Sequence, residues 1–147
     1  MNFRVLLLAL DKVVVDANIF VSALLKDSTT RRMLLNTHSN LFAPDFLMKE
    51  LLKYAPEFAR RLGVRESEVV SSIESLFLLS EITLVPHLEY CGYMKAAVEA
   101  SPDINDVPYF ALAMKLNSAI WSQDSRLKKQ PKVMVFNTAE ILKLGLL

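Results

Sequence analysis

Three aspartates, far apart in the chain, carry its strongest chemical signal. Asp16 ends the apolar run in "VVVDANIF", Asp106 precedes the apolar segment in "DVPYFALA", and Asp124 follows "AIWSQ". A carboxylate beside buried apolar residues is costly unless a partner stabilises it. Carboxylate oxygens, with no histidine or cysteine nearby, favour hard divalent cations such as Mg²⁺ and Mn²⁺ over zinc. The three acids therefore raise the question of whether the fold brings them together around an ion.

The same polar residues also have purely structural interpretations. Asp16 can cap a helix that begins near residue 17 or 18, because aspartate accepts hydrogen bonds from the free amides of a helix start. Asn18, two positions later, is typical of a turn or a cap. Three like charges at one place would instead repel strongly unless a cation joins them or one takes up a proton. Whether the acids converge in space therefore decides between the two interpretations.

The elements that must position these acids alternate between short apolar strands and longer helices. Strands are predicted at 12–15, 41–43, 82–85, 119–121 and 133–136, and helices at 19–25, 29–37, 45–62, 66–79, 88–100, 107–116 and 138–144. This alternation predicts an α/β fold. Continuous apolar runs such as "VVV" and "VMVF" indicate strands that are buried on both faces, as in a parallel sheet between two layers of helices.

A parallel sheet of this kind would bring the three aspartates to one edge. Ligands of such sheets bind beyond the carboxyl ends of the strands. The helix that follows Asp106 descends roughly 15 Å over about ten residues, and the strand before Asp124 climbs roughly 16 Å over about five. Both acids therefore return to the edge where Asp16 ends its strand. The sequence predicts three carboxylates on one rim of the sheet.

Glu50 is a fourth candidate acid. It falls between Phe46 and Tyr54 on the predicted helix 45–62, inside an arc of apolar residues at i, i+4 spacing. A carboxylate inside an apolar arc needs a partner. An ordinary glutamate on the helix surface explains the sequence equally well, because charged residues occupy nearby angles one or more turns later.

Two further residues lie close to the third and fourth acids. Asp103, three positions before Asp106, either joins the cluster or begins a turn with Pro102. Ser122 is positioned to support Asp124 through a hydroxyl hydrogen bond, although a solvent-facing serine at a strand end is the commoner case.

The composition limits the other function classes. The chain has 147 residues, of which 52% are hydrophobic, which predicts a single domain over residues 1–147 with its own core. Seventeen Lys and Arg against sixteen Asp and Glu leave a net charge of +1, so no global field attracts nucleic acid or a membrane. Any contact with a charged partner must therefore be local.

The sequence also favours a cytoplasmic protein. Cys91 is the only cysteine and cannot form an internal disulfide, which suits a reducing compartment. The opening "MNFRVLLLAL" is interrupted by Asp11 and Lys12 and is not typical of a signal peptide. No uncharged run reaches the roughly 18 residues that a membrane span needs. We expect no membrane association, and the first ten residues to form an added strand or an arm used in association.

Taken in order, these segments resemble PIN-domain ribonucleases, including the VapC-like toxin branch. The matching elements are "VVVDANIFVSAL", "APDFLMKELL", "DINDVPYFALAMKLNSAIWSQDSRL" and the closing "VMVFNTAEIL". The resemblance extends from Val13 to about Leu142. No single element is highly specific, but their order, with acids eighteen positions apart at Asp106 and Asp124, makes a chance match improbable.

The resemblance implies a three-layer α/β/α fold with a central parallel sheet of four or five strands. It implies four acids that bind one or two Mg²⁺ or Mn²⁺ ions, with two polar supports. The implied acids are Asp16, Glu50, Asp106 and Asp124, with Asp103 as a further candidate ligand, and the polar residues that support them are Asn18 and Ser122. Such a site suits hydrolysis of a phosphodiester, because metal ions activate water and stabilise the leaving oxygen. The family's usual substrate class is single-stranded or looped RNA.

Several expectations follow for partners. Arg126 and Lys128, just after the fourth acid, are the cations expected beside the scissile RNA backbone, with solvated surface charge as the alternative. A toxin role would add a cognate antitoxin protein, and the apolar run "LFLLSEITLV" favours a homodimer or, equally, a larger core. The segment "SRLKK" after Asp124 departs from many toxin members, which have an aromatic residue there.

Two alternatives remain at this point. A catalytically silent PIN-like module that binds RNA or a protein partner fits the near-zero net charge and the uncertain position of Glu50. A haloacid-type phosphatase is less favoured, because it needs a second acid two positions after the first, where this chain has Asn18. The sequence does not specify the RNA that is cut or the number of metal ions.

Overall fold

The computed structural model describes residues 2–26 and 28–145 and is built on a five-stranded parallel sheet. The strands are β1 (Lys12–Val15), β2 (Asn40–Pro44), β3 (Thr83–Val85), β4 (Ala119–Trp121) and β5 (Val135–Phe136). Their order across the sheet is β3-β2-β1-β4-β5, and every neighbouring pair is parallel. The predicted α/β class and its parallel sheet are confirmed.

Helices connect the strands and cover both faces of the sheet. They are α1 (Phe3–Asp11), α2 (Ala17–Leu25), α3 (Ser28–Asn36), α4 (Phe46–Lys53), α5 (Ala55–Leu62), α6 (Glu66–Leu79), α7 (His87–Tyr90), α8 (Met94–Ala100), α9 (Val107–Leu116) and α10 (Thr138–Leu144). Short 3₁₀ turns occupy Cys91–Tyr93, Ile104–Asp106 and Ser125–Lys128. None of the helices within the described ranges is long and apolar enough to cross a membrane.

The central strands are buried on both faces, which explains their continuous apolar sequence. Val13 and Val15 of β1 point into one core cluster, formed largely with α2 to α6, while Val14 points into a second cluster formed with α7 to α9. Side chains alternate between the faces of a strand, so both faces must be covered when every residue is apolar. The result is the three-layer α/β/α arrangement that the sequence predicts.

The predicted helix 45–62 is wrong as a single element. The structure has α4 and α5 in its place, separated at Tyr54, whose φ and ψ are −92° and 3°. Pro56 lies in the first turn of α5. Proline has no backbone N–H and its ring crowds the carbonyl four residues earlier, so a continuous helix cannot pass through this point. The break places Tyr54 at a corner, where 45% of its surface is exposed.

Three other expectations also need correction. The predicted helix 88–100 is divided into α7 and α8 by the 3₁₀ turn Cys91–Tyr93, which contains Gly92, a weak helix former. The predicted strand 133–136 is shortened to β5. The first ten residues do not add a strand; Met1 lies outside the described residues, and the rest begin the helix α1. Its Leu6 and Leu10 lie four positions apart on one helix face and are buried in the first core cluster. The segment therefore forms an amphipathic helix, although its apolar run also suggested a strand.

A groove lies beside α1 and the edge strand β5. It has a volume of about 480 Å³ and is here named the α1 groove. Its lining includes Leu8 of α1, Ser118 before β4, and the segment from Lys128 to Val135. Lys128 forms an ion pair with Glu140 of α10 in this groove.

Candidate metal-binding and active site

The carboxyl ends of β1 and β4 meet at the rim where Asp16 and Asp124 lie. Val15 and Trp121 are partners in the parallel ladder, and the Asp16 amide donates to the Trp121 carbonyl at 3.0 Å. Asp16 is the first residue beyond β1, and Asp124 begins the 3₁₀ turn after β4. The rim predicted from the order of strands and helices is therefore present for these two acids.

Ser122 links the two acids through its hydroxyl. Its Oγ donates to Oδ2 of Asp16 at 2.7 Å and accepts from the backbone N–H of Asp124 at 3.1 Å. The carboxylate that Ser122 supports is thus that of Asp16, whereas the sequence suggested that of Asp124. Asn18 completes the network, because its Nδ2 donates to Ser122 Oγ at 3.1 Å and its Oδ1 accepts from the Gln123 amide.

Asp16 is the most deeply buried acid of the rim, with 6% of its surface exposed. Burial raises the pKa of its carboxyl above the usual range, and the charge of Asp124 adds to this rise. The Ser122 hydroxyl and the Ala17 amide act in the opposite direction. Although Asp16 occupies the position before α2, its side chain makes no capping hydrogen bond to that helix. The cap interpretation therefore does not explain why this carboxylate is buried.

Asp106 reaches the same rim from the other side, at the start of α9. Burial, together with the charges of Asp16, Asp103 and Asp124, raises its pKa to about 6, against the opposing effect of Arg126. Its side chain caps no helix. The charge of Asp16 thus acts on Asp106, although the two acids are ninety positions apart in the sequence.

Asp124 differs from these two acids because a cation already neutralises it. The Arg126 guanidinium donates to both of its carboxylate oxygens, at 2.7 Å from Nη2 to Oδ2 and at 3.1 Å from Nε to Oδ1. The Arg126 amide adds a third contact at 3.0 Å. The guanidinium contact lowers the pKa of Asp124 below its usual range.

A cleft opens between α2, α4 and the start of α9, and is here named the acid cleft. Its volume is about 540 Å³, and it is lined by Asp16, Ala17, Val21, Phe46, Glu50, Tyr54, Ile104, Asn105, Asp106, Pro108 and Tyr109. Glu50 is exposed and lies in this cleft with Asp16 and Asp106. The division of the predicted helix at Tyr54 leaves Glu50 on α4, facing the rim. The structure thus brings three of the four predicted acids into one cleft, with Asp124 beside it.

Tyr109 is a cleft residue that the sequence reasoning missed. Only 3% of its surface is exposed, and its hydroxyl is buried without a hydrogen-bond partner in the described part of the chain. Burial raises the pKa of this hydroxyl, and the charges of Asp16, Asp106 and Glu50 raise it further, while the Ala17 backbone amide acts in the opposite direction. The signal in the sequence was a polar-tipped aromatic residue three positions after Asp106, within an apolar helix.

The remaining predicted site residues lie outside the cleft. Asp103 accepts a hydrogen bond from the Asn105 amide at 2.9 Å, as a turn residue does, although its charge still acts on Asp106. Lys128 pairs with Glu140 in the α1 groove. The structure does not bring Lys128 to the acids, whereas it places Arg126 directly on one of them.

The donors of the acid cleft fit Mg²⁺ or Mn²⁺ in their chemistry. All the candidate ligands are carboxylate oxygens, no histidine or cysteine lines the cleft, and the buried Tyr109 hydroxyl lacks a partner there. Within residues 2–26 and 28–145, no three His, Cys, Asp or Glu side chains are close enough together to hold an ion. Side-chain rotation must therefore accompany binding of an ion.

Comparison with known proteins finds a matching family and similar solved structures. The sequence profile of the PIN domain matches residues 14–134. A solved structure of VapBC2 from Rickettsia felis, bound to a DNA fragment from their promoter, superimposes with a TM-score of 0.59 at 15% sequence identity. The alignment covers 86% of this chain and 98% of the other, which supports a shared fold. No curated protein matches the chain in sequence.

Proposed function

The chain belongs to the PIN-domain family, and we propose that it is an endoribonuclease that hydrolyses RNA phosphodiester bonds with Mg²⁺ or Mn²⁺. The observation that carries this proposal is the pair Asp16 and Asp106, which share one rim and whose charges interact. Buried like charges are costly, and a divalent cation between them relieves the cost. PIN domains are generally nucleases, which agrees with this use of the rim.

In this proposal each acid has a different structural task. Asp16 is the fixed ligand, because Ser122 and the sheet hold its carboxylate in one orientation. Asp106 and Glu50 complete the oxygen donors from α9 and α4. A bound divalent ion lowers the pKa of a water molecule and stabilises the leaving oxygen of the phosphodiester. The protein's own contribution is to hold the carboxylates and to orient the RNA backbone across them.

Asp124 can join the ligands only if Arg126 releases it. The ion pair is exposed to solvent, so exchanging it for an ion and a substrate phosphate costs little. Arg126 would then lie beside the RNA backbone, which is the role that the sequence suggested. Lys128 keeps that role only if its pair with Glu140 also opens.

The acid cleft suits a single strand better than a duplex. Tyr54 and Phe46 line it, and nearly half of the Tyr54 surface is exposed. Exposed aromatic rings stack with unpaired bases irrespective of sequence. We therefore propose single-stranded or looped RNA as the substrate class.

The direct test is cleavage of a labelled single-stranded RNA by the wild type and by Asp16→Asn. This substitution preserves shape and removes charge. We expect Mn²⁺-dependent cleavage by the wild type and a rate at least about 100-fold lower in the variant. Loss of a residue that only supports a metal ligand costs about 100-fold at most, so a fall of this size indicates a direct ligand. Asp11→Asn, at the amino end of β1, is the matched control and should cleave normally. Equal cleavage by the wild type and Asp16→Asn would reject the proposal.

A silent PIN-like module that binds RNA or a protein partner is the second candidate. It is supported by the Arg126 contact, which neutralises Asp124, and by the spacing of the acids, which is too wide for an ion without rearrangement. Calorimetric titration with Mn²⁺ separates the candidates, because a silent module gives no heat that depends on Asp16. Heat that disappears in Asp16→Asn favours the nuclease.

We also propose two protein partners. The similarity to VapBC2 is consistent with a toxin that has a cognate antitoxin, and a small neighbouring gene with a DNA-binding pattern would support this. Leu78 and Leu79 at the end of α6 are 77% and 60% exposed, which favours a homodimer. Light scattering after size exclusion tests the dimer, and a monomer at high concentration would remove it.

A further inference from the structure

The Tyr109 hydroxyl is a polar group whose burial needs an explanation. A phenol tip buried without a hydrogen bond is destabilising, and phenylalanine would fill the same space without that cost. The ring already packs edge-to-face on Phe46, with 6.0 Å between centroids, and this contact does not use the hydroxyl. Packing therefore accounts for an aromatic residue at this position but leaves the hydroxyl unexplained.

The surroundings of the hydroxyl indicate what it could bind. Tyr109 lines the acid cleft together with Asp16, Asp106 and Glu50, yet its hydroxyl donates to none of these acids. A phenol at neutral pH is a hydrogen-bond donor. An oxygen atom, such as that of a water molecule, can bridge a donor to acceptors of the same cleft that it does not contact directly.

We propose that Tyr109 is a positioning residue whose hydroxyl donates a hydrogen bond to the hydration shell of the ion held by Asp16 and Asp106. This inference rests on the proposed metal site. The hydroxyl supplies a donor among groups that otherwise only accept, so it fixes the orientation of one water molecule relative to the carboxylates. Outer-shell contacts of this kind orient metal ligands and tune affinity.

The test compares Tyr109→Phe with Ser118→Ala. Ser118 is the matched control, because its hydroxyl is the other buried hydroxyl without a partner in the described part of the chain, and it lies in the α1 groove. Calorimetric titration with Mn²⁺ should show affinity about 10-fold lower for Tyr109→Phe, at the low end for an outer-shell partner. Ser118→Ala should bind Mn²⁺ as the wild type does.

Thermal denaturation without metal supplies the second measurement. Removal of an unsatisfied hydroxyl should leave the Tm of Tyr109→Phe unchanged or raise it by about 2–4 °C. A lower Tm together with weaker Mn²⁺ binding would indicate a structural hydroxyl and overturn the inference. Equal Mn²⁺ affinity of the wild type and Tyr109→Phe would also overturn it. If the wild type itself binds no Mn²⁺, the proposed function fails, and the inference fails with it.

Discussion

The acid cleft and the α1 groove have similar volumes, about 540 and 480 Å³, but they differ in how their polar groups are paired. In the α1 groove, Lys128 pairs with Glu140, and Gln130 makes four hydrogen bonds to the surrounding backbone. In the acid cleft, three carboxylates line the walls without a cation among the lining residues, and the Tyr109 hydroxyl has no partner in the described part of the chain.

This difference shows that the volume of a cleft alone does not identify a functional site in this fold. The polar groups of the α1 groove stabilise the chain, because their charges and hydrogen bonds are satisfied within it. In the acid cleft, burial and the charges of neighbouring acids raise the pKa of Asp106, so its ionised form destabilises the folded chain without a partner. Ser118 is the exception in the α1 groove, but Lys128 and Glu140, which line the groove with it, neutralise each other.

The largest expected effect is a contrast between one variant in the acid cleft, which should lose cleavage, and one in the α1 groove, which should lose stability. Asp16→Asn should lower Mn²⁺-dependent cleavage at least about 100-fold without lowering the free energy of unfolding. Glu140→Ala should cleave normally but lose about 0.5–1 kcal/mol of stability, because it removes the Lys128 pair and half of the capping box of α10. Cleavage assays and urea denaturation of both variants test this. Impaired cleavage by Glu140→Ala, or impaired folding of Asp16→Asn, would contradict the assignment of cleavage to the acid cleft and of stability to the α1 groove.

The second effect is competition between protons and metal in the acid cleft. The pKa of Asp106 is raised to about 6, so this carboxyl takes up a proton as the pH falls below that value. Mn²⁺ affinity should therefore fall about fivefold between pH 6 and pH 5, because one proton must leave before an ion binds and about half of the carboxyls are already protonated at pH 6. Calorimetric titration at pH 7, 6 and 5 measures it. An affinity that does not change with pH would show that Asp106 is not a ligand.

The third effect concerns stability without metal. A carboxyl whose pKa rises from 3.8 to about 6 on folding holds its proton more tightly when folded, so stability falls as the pH rises through this interval. Asp106→Asn removes that loss and should stabilise the chain by about 1–2 kcal/mol at pH 7, reduced because the carboxyl is partly exposed. The gain should vanish below pH 4.

Urea denaturation at pH 7 and pH 4 measures this prediction for Asp106→Asn. Asp11→Asn is the control, because Asp11 is exposed at the opposite end of β1. A gain that persists at pH 4 would show that ionisation of the partly buried Asp106 carboxyl is not its cause.

The smallest effect is expected at the edge of the cleft. Arg126→Gln frees Asp124 from its guanidinium partner, so the pKa of Asp124 should return towards its usual range. Mn²⁺ affinity should rise by a few fold, because one more carboxylate becomes available, while stability changes little for an exposed pair. Arg65→Gln, which breaks the exposed pair with Glu68, is the control. Unchanged Mn²⁺ affinity in Arg126→Gln would exclude Asp124 as a ligand.

The sheet and the rim could be predicted because they follow from regular patterns. Val13, Val14 and Val15 are all apolar, which requires burial on both faces and so a parallel sheet with helices on each side. The position of Asp16 and Asp124 then follows from where β1 and β4 end. These features depend on the order of elements and not on individual contacts.

Other features could not be read from those patterns. The helical periodicity of the apolar residues continues past Pro56. The break at Tyr54 follows instead from the missing backbone N–H of that proline. Arg126 appeared as a substrate-binding cation, but its position two residues after Asp124 lets it bind that acid directly. Tyr109 fits the apolar face of α9, and only the folded arrangement shows that its hydroxyl faces carboxylates from distant segments.

The central claim is that Asp16 and Asp106 together hold a divalent ion in the acid cleft. Anomalous diffraction at the manganese absorption edge, from crystals soaked in Mn²⁺, tests it most directly. We expect an anomalous peak about 2.0–2.3 Å from oxygens of both carboxylates, the range of metal–oxygen distances of similar hard cations. A fully soaked crystal with no peak at this rim, or with the peak elsewhere, would contradict it.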